Sequence, residues 1–151
     1  MAGPVKLLVL MVGLAVTATL SGCALVPFFG AQLSDRECLM RAMYFESNRS
    51  SEEGLLAVGT VVMNRVGAPG YPRTICGVVG QSGQFASGVM SSPMRERSVE
   101  LVAQIADQIL RGARHPALGR TTHFHQAGLR FPYGNMHYVL EAGGNDFYEI
   151  W

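Results

Sequence analysis

Lysine is almost absent from this sequence, because Lys6 is the only one among 151 residues. Charge of either sign is sparse as well: 15% of the residues are charged, and 12 basic residues stand against 11 acidic ones. A protein that binds nucleic acid needs a basic surface to neutralise phosphates. The sequence therefore predicts no nucleic-acid partner. Its 48% hydrophobic content is typical of a globular chain, not a disordered one.

Several catalytic motifs are also missing. The sequence has no nucleophile elbow, no P-loop and no dinucleotide-binding fingerprint. His123 and His125 form a His-x-His pair that could bind a metal from one face of a strand. No third ligand accompanies them at a motif spacing, so we expect neither a metal nor another cofactor.

The apolar run at residues 7–20 is too short for a comfortable membrane span. It follows Lys6 and leads into Leu-Ser-Gly-Cys at 20–23, a sequence that resembles the lipoprotein box of bacteria. We therefore expect a lipoprotein signal peptide at 1–22 and lipidation of Cys23. The alternatives are an ordinary signal peptide and an uncleaved anchor.

Acyl chains on Cys23 would hold the protein at a membrane, with residues 23–32 as a tether. Ala24 follows the lipidated position, which is the pattern expected of lipoproteins released to an outer membrane. The predicted location is the bacterial cell envelope, facing the periplasm, at the outer rather than the inner membrane.

Only Cys38 and Cys76 remain once Cys23 is assigned to lipid. Two cysteines in an exported protein suggest a disulfide, here closing a loop of about 40 residues. The alternative is two buried free thiols.

The first helix is predicted to run from Ser34, which forms a capping-box pattern with Glu37, to about Glu46. Leu39, Met43 and Glu46 are spaced i, i+4, i+7 and therefore share one helix face. A carboxyl at the edge of an apolar cleft has a raised pKa, which is what a general acid needs. Alternatively, the face turns outward and leaves an ordinary surface glutamate.

Ser50 and Glu53 repeat the capping-box spacing before the apolar segment 54–66, which we predict to be a buried central helix. Glycine, proline and capping signals predict three further segments: a helical turn at 74–79, a loop at 81–88, and a helix from Ser98, as its cap, to about Arg111.

The C-terminal part alternates like β-structure. Residues 121–125 are predicted to be a strand that places His123 and His125 on one side. Two further strands are predicted around the turn signal at 143–146: residues 136–140 and 147–151. The fold class is thus mainly α, with a small antiparallel β patch near the C-terminus.

Several segments, in this order and spacing, are similar to those of the SleB-type cell-wall hydrolases. They are Glu-Cys-Leu at 37–39, Tyr-Phe-Glu-Ser at 44–47, Glu-Gly at 53–54, residues 57–66 and 71–79, Gln-Phe at 84–85, Thr-His-Phe-His at 122–125, Gly-Asn at 144–145 and Phe-Tyr at 147–148. This resemblance covers about residues 35–148. It implies a compact lysozyme-like domain, residues 33–151, that cleaves the glycan strands of peptidoglycan.

The resemblance places the catalytic acid of the family on Glu46. This acid would protonate the glycosidic oxygen between N-acetylmuramic acid and N-acetylglucosamine. The resemblance also implies a lytic transglycosylase, which needs no second carboxylate. The candidate substrate-binding residues all lie within the matched segments: Asn64, Gln84, Phe85, His123, His125 and Tyr148. Structural roles, such as a helix-packing amide for Asn64 or a loop anchor for Gln84 and Phe85, are the alternatives.

The sequence departs from the family pattern at three positions. Ser50 stands where the family has a second glutamate, Ala86 where it has serine, and Asp146 where it has histidine. If the second acid is needed, the protein is slow or inactive. The alternatives to a lytic transglycosylase are therefore a non-catalytic peptidoglycan-binding lipoprotein and a hydrolytic muramidase.

Overall fold

The computed structural model describes residues 32–95 and 97–151. Its helices in these ranges are α1 (Asp35–Glu46), α2 (Glu52–Arg65), α3 (Ile75–Val79) and α4 (Ser98–Leu110). After a 3-10 turn at Pro116–Leu118, its strands are β1 (His123–Gln126), β2 (Met136–Ala142) and β3 (Asn145–Ile150). The predicted order of helices followed by a small sheet is confirmed.

The predicted signal peptide at 1–22, Cys23 and all but the last residue of the tether at 23–32 lie outside the described residues. Lipidation of Cys23 therefore stays a prediction. Within the described ranges, no helix has both the length and the apolar character needed to cross a bilayer.

The first helix begins as its capping pattern predicts. The Ser34 side chain accepts a hydrogen bond from the Glu37 backbone N–H at 3.2 Å, and Glu37 Oε2 accepts one from the Ser34 N–H at 2.9 Å. Both bonds satisfy N–H groups that a helix start leaves free. Leu39 and Met43 are fully buried, and the helix ends at Glu46.

Two predicted caps are wrong. The cap of α2 is Ser51, whose Oγ accepts from the Gly54 N–H at 3.0 Å, whereas the Ser50 hydroxyl bonds Asn48 Oδ1 at 2.8 Å. The local bond to Asn48 occupies the Ser50 side chain, so α2 begins one residue later. In α4, Ser98 is the first helical residue, and the preceding cap makes no side-chain bond to the helix.

The second helix is the central element of the core, as predicted. It packs against α1, α3, α4 and β2, and its valine side chains and Leu55 are fully buried. Gly59 lets the helices approach closely, because a Cβ there would collide with Ile109 Cδ1 and lie 2.9 Å from Met43 Sδ. A disulfide between Cys38 and Cys76 ties α1 to α3.

The three strands form an antiparallel sheet in the order β1-β3-β2. Gly143 and Gly144, with φ of 58° and 84°, form the two-residue turn between β2 and β3. The turn is shorter than predicted, because Asn145 is already paired with Ala142 in the sheet. Phe147 faces the core and is fully buried.

The opposite face of the sheet points away from the core. Strand register places His123 opposite Tyr148 and Tyr148 opposite Tyr138, so these three residues share the outer face. His125 lies two residues after His123 on the same strand and therefore on the same face. The prediction that both histidines lie on one side is confirmed.

Glycines allow the sheet to approach the helices at the β2–β3 turn. A Cβ on Gly54 of α2 would lie 2.5 Å from Ser47 Oγ and 2.9 Å from the Gly143 nitrogen. The Asn48 N–H also donates to the Gly143 carbonyl at 2.8 Å. The turn is thus held against the end of α1 and the start of α2.

Candidate active site

Glu46 lies where α1, the 81–88 loop and the sheet meet. It is the last residue of α1 and is half-buried. Its Oε1 accepts a hydrogen bond from the Ala86 backbone N–H. Asn145, at the start of β3, donates from Nδ2 to the Glu46 carbonyl oxygen at 2.6 Å. Both the side chain and the backbone of this acid are therefore held by other elements.

The environment of Glu46 raises its pKa above the ordinary value for glutamate. Burial is the largest cause, because it disfavours the charged carboxylate. The hydrogen bond from Ala86 and the charge of Arg65 act in the opposite direction and offset part of this effect. A carboxyl that keeps its proton to a higher pH is suited to act as a general acid.

An open cavity of about 350 Å³ adjoins this carboxyl. The cavity is lined by two glycines and by aromatic and polar residues: Phe45, Glu46, Gly83, Gln84, Phe85, Phe124, His125, Gln126, Gly144 and Asn145. Among these described lining residues, Glu46 is the sole carboxylic acid.

The loop that carries Ala86 is anchored to α1. Arg41 Nη1 donates to the Val89 carbonyl at 3.2 Å and to the Ser92 carbonyl at 2.8 Å. The Arg95 N–H donates to the Tyr44 hydroxyl at 3.3 Å. These contacts fix the position of the loop relative to α1 and hence the position of the Ala86 N–H, which binds Glu46.

A larger cavity of about 810 Å³ lies beside the first. The two share Gln84, and strand β1 contributes His125 to the smaller cavity and His123 to the larger. A third cavity, of about 380 Å³, shares Arg120, Thr122 and His123 with the larger one. The three cavities thus form a row in which neighbouring cavities share lining residues. A row of this kind suits an extended polymer better than a small compact ligand.

The structure divides the predicted substrate-binding residues into three groups. Gln84, Phe85 and His125 line the cavity beside Glu46. Asn64 and His123 line the larger cavity. Tyr148 lies beside the two histidines on the outer face of the sheet, with its ring centroid 5.3 Å from that of His123 and 5.4 Å from that of His125. These three groups account for all six residues that the sequence predicted to bind substrate.

Asn64 also has a structural role. Its Nδ2 donates to the Gly119 carbonyl at 3.1 Å and to the Thr121 carbonyl at 2.9 Å. Both acceptors belong to the segment that leads into β1. The amide therefore fixes the wall of the larger cavity, which agrees with the structural alternative for this residue.

Arg65 is a residue of this site that the sequence did not reveal. It is buried at the end of α2, and its Nε donates to the Thr122 carbonyl at 2.7 Å. The guanidinium lies over the rings of Tyr71, Phe85 and Phe124, at 5.3–5.6 Å from their centroids. Arginine is rarely buried, so its position in the helix gave no signal of this packing.

Neither His123 nor His125 belongs to a cluster of metal ligands. Across residues 32–95 and 97–151, no group of three or more His, Cys, Asp and Glu side chains could hold a metal ion. The pKa of His123 is lowered, chiefly by burial and also by the charge of Arg65. His123 is therefore biased towards the neutral imidazole, which can both donate and accept hydrogen bonds.

Two of the departures from the family pattern have a structural reading. Ser50 lines a different cavity from Glu46, together with Ser47 and Asn48. Ala86 contacts Glu46 through its backbone N–H, so no serine hydroxyl is needed for that bond. The third position, Asp146, is buried, and it lies opposite His125 in the register of β1 and β3.

The family model described as Cell Wall Hydrolase matches residues 49–148, more than half of the chain. The chain therefore belongs to the cell wall hydrolase family. The match begins after Glu46, so the role of this carboxyl depends on the geometry described above.

Two solved structures resemble the chain. One is the catalytic domain of the germination-specific lytic transglycosylase SleB from Bacillus anthracis, at 20% identity and a TM-score of 0.59, covering 80% of this chain and 98% of that one. The other is the catalytic domain of the Bacillus cereus SleB protein, also at 20% identity and a TM-score of 0.59, covering 79% and 94%. The predicted lysozyme-like fold is confirmed. No functionally curated protein gives a significant match.

Proposed function

We propose that the protein is a lytic transglycosylase that cleaves peptidoglycan between N-acetylmuramic acid and N-acetylglucosamine, with Glu46 as its acid. One observation carries the proposal: a single carboxyl with a raised pKa lines an open cavity within the described residues. Glycosidases that hydrolyse with two carboxyls place both beside the scissile bond. Membership of the cell wall hydrolase family and the fold shared with a lytic transglycosylase support this assignment.

In this mechanism the Glu46 carboxyl acts twice. It first donates its proton to the glycosidic oxygen, and the bond to the anomeric carbon breaks, leaving positive charge on the muramic acid ring. The 6-hydroxyl of the same sugar then attacks the anomeric carbon and gives its proton to the Glu46 carboxylate. The product is a 1,6-anhydro ring, the acid regains its starting protonation state, and no water is consumed.

The contacts of Glu46 suggest which oxygen carries the proton. The Ala86 N–H donates to Oε1, which must therefore be an acceptor. The proton is then expected on Oε2, available to the sugar. Gln84 and His125 line the same cavity and offer hydrogen-bonding groups to the sugar hydroxyls and amides.

The direct test uses the full chain, purified in detergent and incubated with purified sacculi. The wild type should release muropeptides with anhydro ends, identified by mass spectrometry, and Glu46→Gln should release at least about a hundredfold less. Glu100→Gln, which removes an exposed carboxylate from α4, is the matched control and should retain activity. Equal release by wild type and Glu46→Gln would refute the proposal.

The same experiment separates the two alternatives. Release of products with reducing ends would identify a hydrolytic muramidase. Binding of the wild type to sacculi without any release would identify a non-catalytic peptidoglycan-binding protein.

We also propose that Cys23 carries lipid and anchors the protein in the cell envelope, at the outer membrane. The support is the sequence at 20–23 and the apolar run before it. Labelled palmitate should be incorporated into the wild type but not into Cys23→Ala. Equal labelling of the two chains would rule out an anchor at this residue.

A further inference from the structure

A cluster of exposed rings covers part of the outer face of the sheet, beside the candidate active site. We call Phe131, Tyr133 and Tyr138 the aromatic platform. Their residues are 42%, 64% and 44% exposed, respectively. Burying large rings is a main source of folding stability, so three neighbouring rings left in water need an explanation other than the core.

The platform is continuous with the Glu46 cavity through His125. The His125 ring lies 4.8 Å from that of Phe131 and 5.5 Å from that of Tyr138, and its Nε2 shares a 3.0 Å hydrogen bond with the Tyr138 hydroxyl. The same imidazole lines the cavity beside Glu46. A polymer lying in that cavity can therefore continue over His125 onto the platform.

The platform is also held in a fixed shape. The rings of Phe131 and Tyr133 are stacked, 6.2 Å apart and within 10° of parallel, and Pro132 between them restricts the backbone. The segment is attached to the sheet at both ends, because the Ala127 N–H donates to the Gly144 carbonyl at 2.9 Å and the Trp151 N–H donates to the Asn135 carbonyl at 3.2 Å. Little conformational entropy is therefore lost when a ligand binds.

Polar groups surround the rings. A cavity of about 720 Å³ beside Tyr138 is lined in part by Arg130, Glu141 and Asp146. Aromatic faces next to charged and hydroxyl groups suit a ligand that has apolar C–H faces and a polar edge. A pyranose ring has this character, with C–H groups on its faces and hydroxyl and amide groups at its edge.

We propose that the aromatic platform binds sugar rings of the glycan strand beyond the cavity that contains Glu46. This inference rests on the proposed function for the identity of the ligand. The platform would hold the polymer in place while the bond next to Glu46 is cleaved, and it would therefore act on binding rather than on the chemical step.

Binding is measured with the full chain in detergent, in a Glu46→Gln background that does not cut the ligand. The probes are intact sacculi and glycan strands from which the peptide stems have been removed. Phe131→Ser combined with Tyr133→Ser should weaken binding to both probes roughly five- to thirtyfold, the range for truncating aromatic anchors. Leu110→Ser, which removes a side chain of similar exposure at the end of α4, should bind like the parent.

Exposed rings contribute little to the core, so the double variant should melt near its parent. If it does not, Tyr133→Ser alone, at the most exposed ring, should still weaken binding while melting normally. Unchanged binding to stem-free strands would overturn the proposal. So would a loss confined to intact sacculi, because the platform would then bind peptide stems.

Failure of the platform and failure of the proposed function give different results. If the wild type releases anhydro products but the platform variants bind like Leu110→Ser, only the platform inference falls. If the wild type releases nothing and the platform variants still lose binding to stem-free strands, the proposed function falls and the platform stands.

Discussion

Gly54 offers a sharp test of how the fold positions the active site. An alanine Cβ there would lie 2.5 Å from Ser47 Oγ and 2.9 Å from the Gly143 nitrogen, whereas ordinary contacts of carbon atoms are about 3.5 Å or longer. The β2–β3 turn would have to move by roughly 1 Å. Such overpacking costs about 1–3 kcal/mol, partly offset by up to about 1 kcal/mol from the better helix propensity of alanine.

Gly54→Ala should therefore unfold at a lower temperature than the wild type by roughly 3–10 °C, which follows from a net loss of about 1–2 kcal/mol in a domain of this size. The moved turn also carries Asn145, whose 2.6 Å bond to the Glu46 carbonyl would lengthen. Because misplacement of a catalytic group by 1 Å costs up to about a hundredfold in rate, muropeptide release should fall at least about tenfold.

Thermal melting followed by circular dichroism, together with the release assay, measures both effects. Gly134→Ala is the matched control for stability, because nothing lies within 4 Å of a Cβ at that position. Its melting temperature should stay close to that of the wild type. A Gly54→Ala chain that melts at or above the wild-type temperature would show that the turn does not press against α2 as described.

Three further predictions concern the disulfide, the acid and its neighbouring charge. Replacing Cys38 and Cys76 by serine should lower the free energy of unfolding by about 4 kcal/mol, the loop-closure effect for a separation of 38 residues, measured by urea denaturation; equal stability of the oxidised and serine forms would contradict it. Glu46→Gln should melt above the wild type at neutral pH. The pKa of Glu46 is raised in the folded state, so the wild type loses stability relative to the variant as pH rises from the ordinary glutamate pKa through the raised one. Below that window the difference should be constant, and a difference that does not change with pH would refute the burial argument. Arg65→Gln removes a charge that lowers the pKa of Glu46, so the alkaline limb of its pH–activity profile should move to higher pH even though overall stability falls; a limb that moves to lower pH would contradict this account.

Local signals in the sequence predicted the helices well. The capping box at Ser34 and Glu37 marks the true start of α1, and the apolar segment 54–66 is the buried centre of the fold. The choice of Ser50 over Ser51 as the cap of α2 was wrong because both are serines next to an acidic first turn. Only the bond between Ser50 and Asn48 decides between them, and the capping-box spacing does not report that bond.

The candidate site was only partly predictable. The spacing of Leu39, Met43 and Glu46 and the family resemblance pointed to the acid, but its partners are distant in sequence. The Ala86 N–H is 40 residues away and the Asn145 amide is 99 residues away. Backbone donors and tertiary amide contacts of this kind leave no pattern in a single sequence, because any residue except proline can supply a backbone N–H.

Titration of the Glu46 side-chain carboxyl, followed by carbon-13 NMR, measures directly whether this residue keeps its proton as a general acid must. Glu37, near the other end of α1, is an internal reference, because its hydrogen bonds with Ser34 lower its pKa. Glu46 is expected to titrate above the ordinary value for glutamate and well above Glu37. A midpoint for Glu46 at or below the ordinary value would mean that the carboxyl is charged and solvated where a proton donor is required, and it would contradict the proposed role of this residue.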